Sequence, residues 1–228
     1  LYVASPGMDG PTGRFVGYTP PITSPAQARQ AVALYKRTGY DFIKVYSNLT
    51  PEVYAAIIEE AKVQGIKVIG HSPTRVGLLN VLAAGQYSIE HFHSIAELAS
   101  STGSLVTGQL DETRLKELAE LIRNAGSWYT PTMAVGTVSR GQIPALEQRP
   151  EMRYVSAEMK RWFEDPTNVV PNRDLSRNEA NHKVVLKALH DAGVKLLLGV
   201  DSGYGYVLPG YSIHDELRLR TEAGLTPY

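Results

Sequence analysis

Four residues whose side chains could do hydrolytic chemistry, Lys44, His71, His91 and Asp201, stand at the same place in a pattern that recurs along this chain. Each falls at or near the end of a short β-branched, aromatic or aliphatic run: Asp41-Phe-Ile-Lys-Val-Tyr46, Ile66-Lys-Val-Ile-Gly-His71, Gln86-Tyr-Ser-Ile-Glu-His91, and Val194 to Val200 with Asp201 and Ser202 behind it. Imidazoles and a carboxylate converging on one point suit zinc, which takes nitrogen and oxygen ligands at about 2.0 to 2.2 Å and keeps a water as nucleophile. An ammonium group cannot ligate a metal. Lys44 would therefore be deprotonated for Schiff-base chemistry or carboxylated by carbon dioxide into a carbamate whose two oxygens bridge metals.

The elements that must position these residues are legible as αβ units. Ser24-Pro25 opens a helix closed by Gly39, and Thr50-Pro51-Glu52 opens one closed by Gly65. Val76 to Ala84 is a short helix before Gly85, and Asp111 caps a helix running to Asn124 ahead of Gly126. Ser127 to Met133 is read as a strand carrying Thr130 and Thr132, Ser176 to Ala192 as the longest helix, and Ser212 to Ala223 as the last. Near-continuous apolar strands alternating with amphipathic helices predict a parallel sheet covered by helices. In a barrel every strand's C-terminal end faces one mouth, so residues from four units can meet there, whereas an open sheet converges mainly at its switch point. The expected fold is thus an incomplete (β/α)8 barrel, with about six of eight units present when Leu1 to Ser5 is counted as a strand end. It is expected to form one domain over residues 1–228, and the proline-broken tract 134–173 is expected to be a lid or insertion at the mouth.

Lys+Arg and Asp+Glu both total 23, so no overall field gathers nucleic acid or an anionic membrane. No apolar stretch approaches the roughly 18 residues of a membrane span, which predicts a soluble chain, cytoplasmic or exported. The absence of cysteine excludes a thiolate zinc site, a disulfide scaffold and a cysteine nucleophile. The chain begins with Leu1 and stops just after Thr226, and both ends are read as cut.

Ile43-Lys44-Val45-Tyr46, Val68-Ile69-Gly70-His71, Ser88-Ile89-Glu90-His91 and Gly199-Val200-Asp201-Ser202-Gly203, in this order and spacing, resemble the amidohydrolase superfamily. The similarity is strongest to its imidazolonepropionase and prolidase-like branch, supported by Gly210-Tyr-Ser-Ile-His-Asp-Glu-Leu217 and by Glu222 to Pro227. The resemblance implies a (β/α)8 barrel with two metals, usually zinc, bridged by a carboxylated lysine and a hydroxide that attacks a carbonyl. Lys44 would be the carbamate, His71 and His91 would hold the second metal, and Asp201 would bind the first and move the proton. The family's His-x-His pair on the first strand has no counterpart ahead of Lys44, so this chain is expected to keep one metal's ligands and to be inactive unless the missing strands are supplied.

The substrate implied is a small amide, a dipeptide or a cyclic amide. Tyr46, His93 and His214 are candidate substrate-side residues, while His182 and His190 are expected to be solvated on their helix. Two other readings remain: a Schiff-base lyase or aldolase built on Lys44, and a non-catalytic barrel remnant that assembles with a partner, a homo-oligomer included.

Overall fold

A computed structural model describes residues 1–13, 19–137, 143–165, 176–203 and 205–226. Helix α1 (Pro25–Arg37) starts where Ser24 Oγ accepts the Gln27 amide, and α2 (Pro51–Gln64) starts under Thr50 and ends at Gly65, whose φ of 62° turns the chain out of the helix. Strand β1 (Phe42–Val45) lies between them. Then come β2 (Lys67–Gly70), α3 (Leu78–Ala84), β3 (Ser88–Glu90), α4 (His93–Ala99), α5 (Glu112–Ala125) and β4 (Trp128–Thr130). Short helices α6 (Met133–Thr137) and α7 (Ile143–Glu147), a 3₁₀ turn (Pro150–Tyr154) and α8 (Ala157–Glu164) precede α9 (Ser176–Asp191), β5 (Lys195–Leu196) and α10 (Ser212–Glu222).

The five strands are parallel and lie in sequence order, β1-β2-β3-β4-β5. The N-terminal segment extends the order by one position, with Ala4 bridged to Phe42 and Met8 to Val45, both parallel. This sequential order with helical crossovers is the barrel pattern predicted, and among the described residues the sheet does not close.

Register explains which side chains reach the mouth. Val45, Gly70, Ile89, Tyr129 and Leu196 form one row, and Ile43, Val45, Ile89 and Tyr129 in or beside it are wholly buried under the helices. Side chains alternate along a strand, so Lys44 and Glu90 stand on the opposite face. Strands β1 and β2 alternate between buried and less buried positions. The largest departure is at the end: only Lys195–Leu196 pairs as strand, and Leu197 and Leu198 are 37% and 44% exposed. With one face of the sheet open, an apolar run there has nothing to pack against.

The described part of the 134–173 tract builds a second apolar cluster, in which Met152 and Phe163 meet Tyr206, Val207 and Leu208. It is tied to α10 by Arg149 to Asp215 at 2.8 Å and by the Ala134 amide donating to the fully buried Glu216 carboxylate at 2.9 Å. Residues 138–142 and 166–175 of that tract lie outside the described residues. No helix among the described residues is long and apolar enough to cross a membrane.

Candidate metal centre

Strands β1, β2 and β3 bring Lys44, His71, Glu90 and His91 together. The ligand atoms of His71, Glu90 and His91 all lie within 4.8 Å of one another. His71 follows Gly70, whose φ is 125° and where a Cβ would meet the Val45 carbonyl oxygen at 2.2 Å; only glycine lets β2 hug β1 this closely just before the histidine. Gln86, almost fully buried, donates to the carbonyls of Gly70, His71 and Ser88 at 3.0, 3.2 and 2.9 Å and so stitches the ends of β2 and β3 together.

Each imidazole is oriented through Nδ1. His71 Nδ1 pairs with Ser47 Oγ at 2.8 Å, and His91 Nδ1 pairs with Thr132 Oγ1, leaving Nε2 of each for the mouth. Such outer partners are what fix the tautomer of a ligating histidine. Burial first, then the charge of Lys44 and then His93 lower the His71 imidazole to about 3. His91 is pushed well below the usual histidine range by burial and then by His71. Both are thus neutral, the form that can donate a lone pair.

Lys44 Nζ is ion-paired with Glu90 Oε2 and lies 5.1 Å from the centre of the Tyr46 ring. Burial lowers its ammonium to about 8, with the Asp201 carboxylate pulling the other way. Asp201 Oδ2 lies 4.0 Å from His91 Nε2, and its side chain is 49% exposed. Tyr46 packs on His71 with ring centres 4.5 Å apart, and His93 lies 5.6 Å from His91. Tyr46, His71, His91, His93 and Asp201 line one cavity of about 540 Å³, which Trp162 of α8 also faces.

Three residues other than glycine have positive φ among the described residues: His91 at 64°, Thr132 at 50° and Asp201 at 54°. All follow the ends of strands, and all border the mouth. Alternation alone would send Glu90 and His91 to opposite faces; the left-handed turn at His91 accompanies the delivery of both to one site.

Two positions correct the reading from sequence. His214 is exposed on α10 and lines neither cavity of the mouth. His182 is not solvated: it packs on Phe92 with ring centres 5.3 Å apart, its Nδ1 is buried without a hydrogen-bond partner, and burial lowers it to about 4. Glu90 and Gln86 were not singled out from sequence. Glu90 is signalled by its place in the β3–β4 register opposite Thr130, information that exists only once strands are paired.

The fold of the chain matches known structures. Bottromycin amidohydrolase superposes with a TM-score of 0.74 over 99% of this chain, at 22% identity. The chain has the fold of that amidohydrolase barrel. A Xaa-Pro dipeptidase matches with a TM-score of 0.55 at 20% identity, covering 99% of this chain, and the A. niger ochratoxinase with 0.56 at 22% identity, covering 97%. The chain spans about half the length of these proteins: 52%, 51% and 44%. No family model matches the sequence, and no curated protein matches it.

Proposed function

We propose that this chain carries the metal-binding half of the active site of a metal-dependent hydrolase that cleaves an amide-type C–N bond in a small substrate such as a dipeptide or cyclic amide. The observation that carries the reading is the meeting of His71, Glu90 and His91 within 4.8 Å at two adjacent strand ends, with both imidazoles neutral and both held through Nδ1. That donor set fits zinc. His71 and His91 would hold the ion through Nε2, with an oxygen from Glu90 or from Lys44 as its carbamate. A divalent ion there would polarise a carbonyl and acidify a water.

The surrounding residues have their own work. Glu90 pairs with the Lys44 ammonium and could take its proton, which must leave before the free amine could add carbon dioxide. Asp201, half exposed beside His91 Nε2, would take a proton from the attacking water and pass it to the leaving nitrogen. Tyr46 walls the cavity beside His71 and sets how a substrate carbonyl approaches.

Refolding the chain with zinc and bicarbonate, then measuring bound metal by plasma mass spectrometry, tests the proposal. About one zinc per chain is expected, lost in His71→Ala and in His91→Ala. Retention of zinc in both variants, or none in the folded parent, refutes it.

A further inference from the structure

A second cavity, about 300 Å³, opens on the other side of His91. It shares His91, His93 and Val135 with the cavity of the metal centre, so a single ligand can occupy both. Phe92, Ala96, Leu105 and Val106 make its walls mainly apolar, and it has room for roughly ten water molecules. Polar groups reach it on two sides: His91, His93 and Thr132 toward the metal centre, and Ser104, the exposed Glu97 and, from α9, Asn178 and His182 elsewhere.

The α9 residues are placed there by design of the backbone. Asn178, His182, Val185, Leu186 and Leu189 make one helical stripe, and Asn178 Nδ2 donates to the Gly136 carbonyl at 2.7 Å. A Cβ on Gly136 would lie 2.2 Å from His182 Cε1, so the glycine is what lets the imidazole sit against α6. Among the described residues His182 Nδ1 is buried without a hydrogen-bond partner, a cost that packing alone gives no reason to keep. The position makes sense as the wall of a ligand site.

From the shared walls and this chemistry we propose that the cavity is a specificity subsite that receives a bulky, uncharged, apolar side chain flanking the scissile amide. This rests on the metal-dependent hydrolase reading for where the amide lies. An anionic side chain would meet the Glu97 carboxylate, and a cationic one would lose its hydration against Phe92, Leu105 and Val106 without a fixed countercharge deeper in. The substrates that fit are amides or dipeptides with an aromatic or large aliphatic residue next to the cleaved bond.

The test compares N-acetyl-phenylalanine methylamide with its glycine counterpart by calorimetric titration of the full chain, with and without zinc. The phenylalanine probe should bind at least about ten-fold more tightly, the expected return for burying one large apolar side chain. Val106→Trp, which fills the cavity from a loop, and Ala96→Phe, which fills it from α4, should shrink that preference to about two-fold or less while zinc retention stays as in the parent. Equal binding of the two probes by the parent, or an undiminished preference in either variant that melts like the parent, overturns the subsite. A preference for phenylalanine in a chain that retains no zinc would leave the subsite standing and sink the metal reading instead.

Discussion

Replacing Gln86 with leucine removes a side chain that bonds the ends of β2 and β3 together. The two hydrogens of the parent amide NH2 are shared among three carbonyls, of Gly70, His71 and Ser88, and its oxygen accepts from the Tyr54 hydroxyl at 3.0 Å, so four polar groups lean on this one side chain. Leucine fills similar space and satisfies none of them. Each buried group left without its partner costs on the order of 1 kcal/mol or more, so the variant should lose about 4 kcal/mol. For a chain of this length that is a fall of roughly 8 to 16 °C in melting temperature. Urea unfolding followed by circular dichroism gives the number directly. Part of the loss should be recoverable: in Tyr54→Phe/Gln86→Leu the hydroxyl that leucine orphans is gone, so the double variant should be about 1 kcal/mol more stable than the sum of the singles predicts. A loss below about 1.5 kcal/mol for Gln86→Leu, or strict additivity with Tyr54→Phe, would refute the bonding account. Zinc retention should fall in the same variant, because the His71 carbonyl is one of the groups released.

Gly70→Ala forces a Cβ into the Val45 carbonyl oxygen at a φ of 125° and should cost more than about 3 kcal/mol by urea titration, or prevent folding. His182, held near 4 against an ordinary 6.5, refuses a proton that the unfolded chain accepts. Its contribution to stability is therefore whole above pH 6.5 and is lost as pH falls toward 4, at up to about 1.4 kcal/mol per pH unit, and His182→Phe should flatten that part of the urea-midpoint profile. Glu216→Ala leaves the Ala134 amide and the Arg220 guanidinium without their buried carboxylate and should cost about 3 to 5 kcal/mol, whereas Asp111→Ala, losing only the cap on Arg114 N, should cost about 1, both measured by thermal melts.

The order of elements was legible because caps and glycines are local: Ser24, Thr50 and Asp111 accept from the third residue on, and Gly65, Gly85 and Gly126 end their helices in the left-handed region. Lys44, His71 and His91 could be placed at strand ends for the same reason. What escaped depends on pairing and packing. The run Val194 to Val200 has the composition of a strand, yet its pairing stops at Leu196. Glu90 enters the site through register and the turn at His91. His182 was read as solvated although it continues the stripe of Val185, Leu186 and Leu189 one turn back, a periodicity visible in the sequence but outweighed by the polarity of an imidazole. His214, read as able to face the mouth from its closeness to a helix start, is exposed and lines neither cavity there.

The left-handed backbone at His91, Thr132 and Asp201 has a consequence for anyone who tries to make this protein more robust. Non-glycine residues held in that region cost on the order of 1 to 3 kcal/mol each, with β-branched threonine the worst suited. A library screened for heat resistance alone should therefore return glycine or asparagine at these three positions early and repeatedly. Those winners would be tougher molecules that lose the His91 ligand, the hydroxyl that orients it or the Asp201 carboxylate beside it, so selection on folding would erode the site first. Mapping where thermostable variants accumulate would then draw the outline of the active centre from its losses.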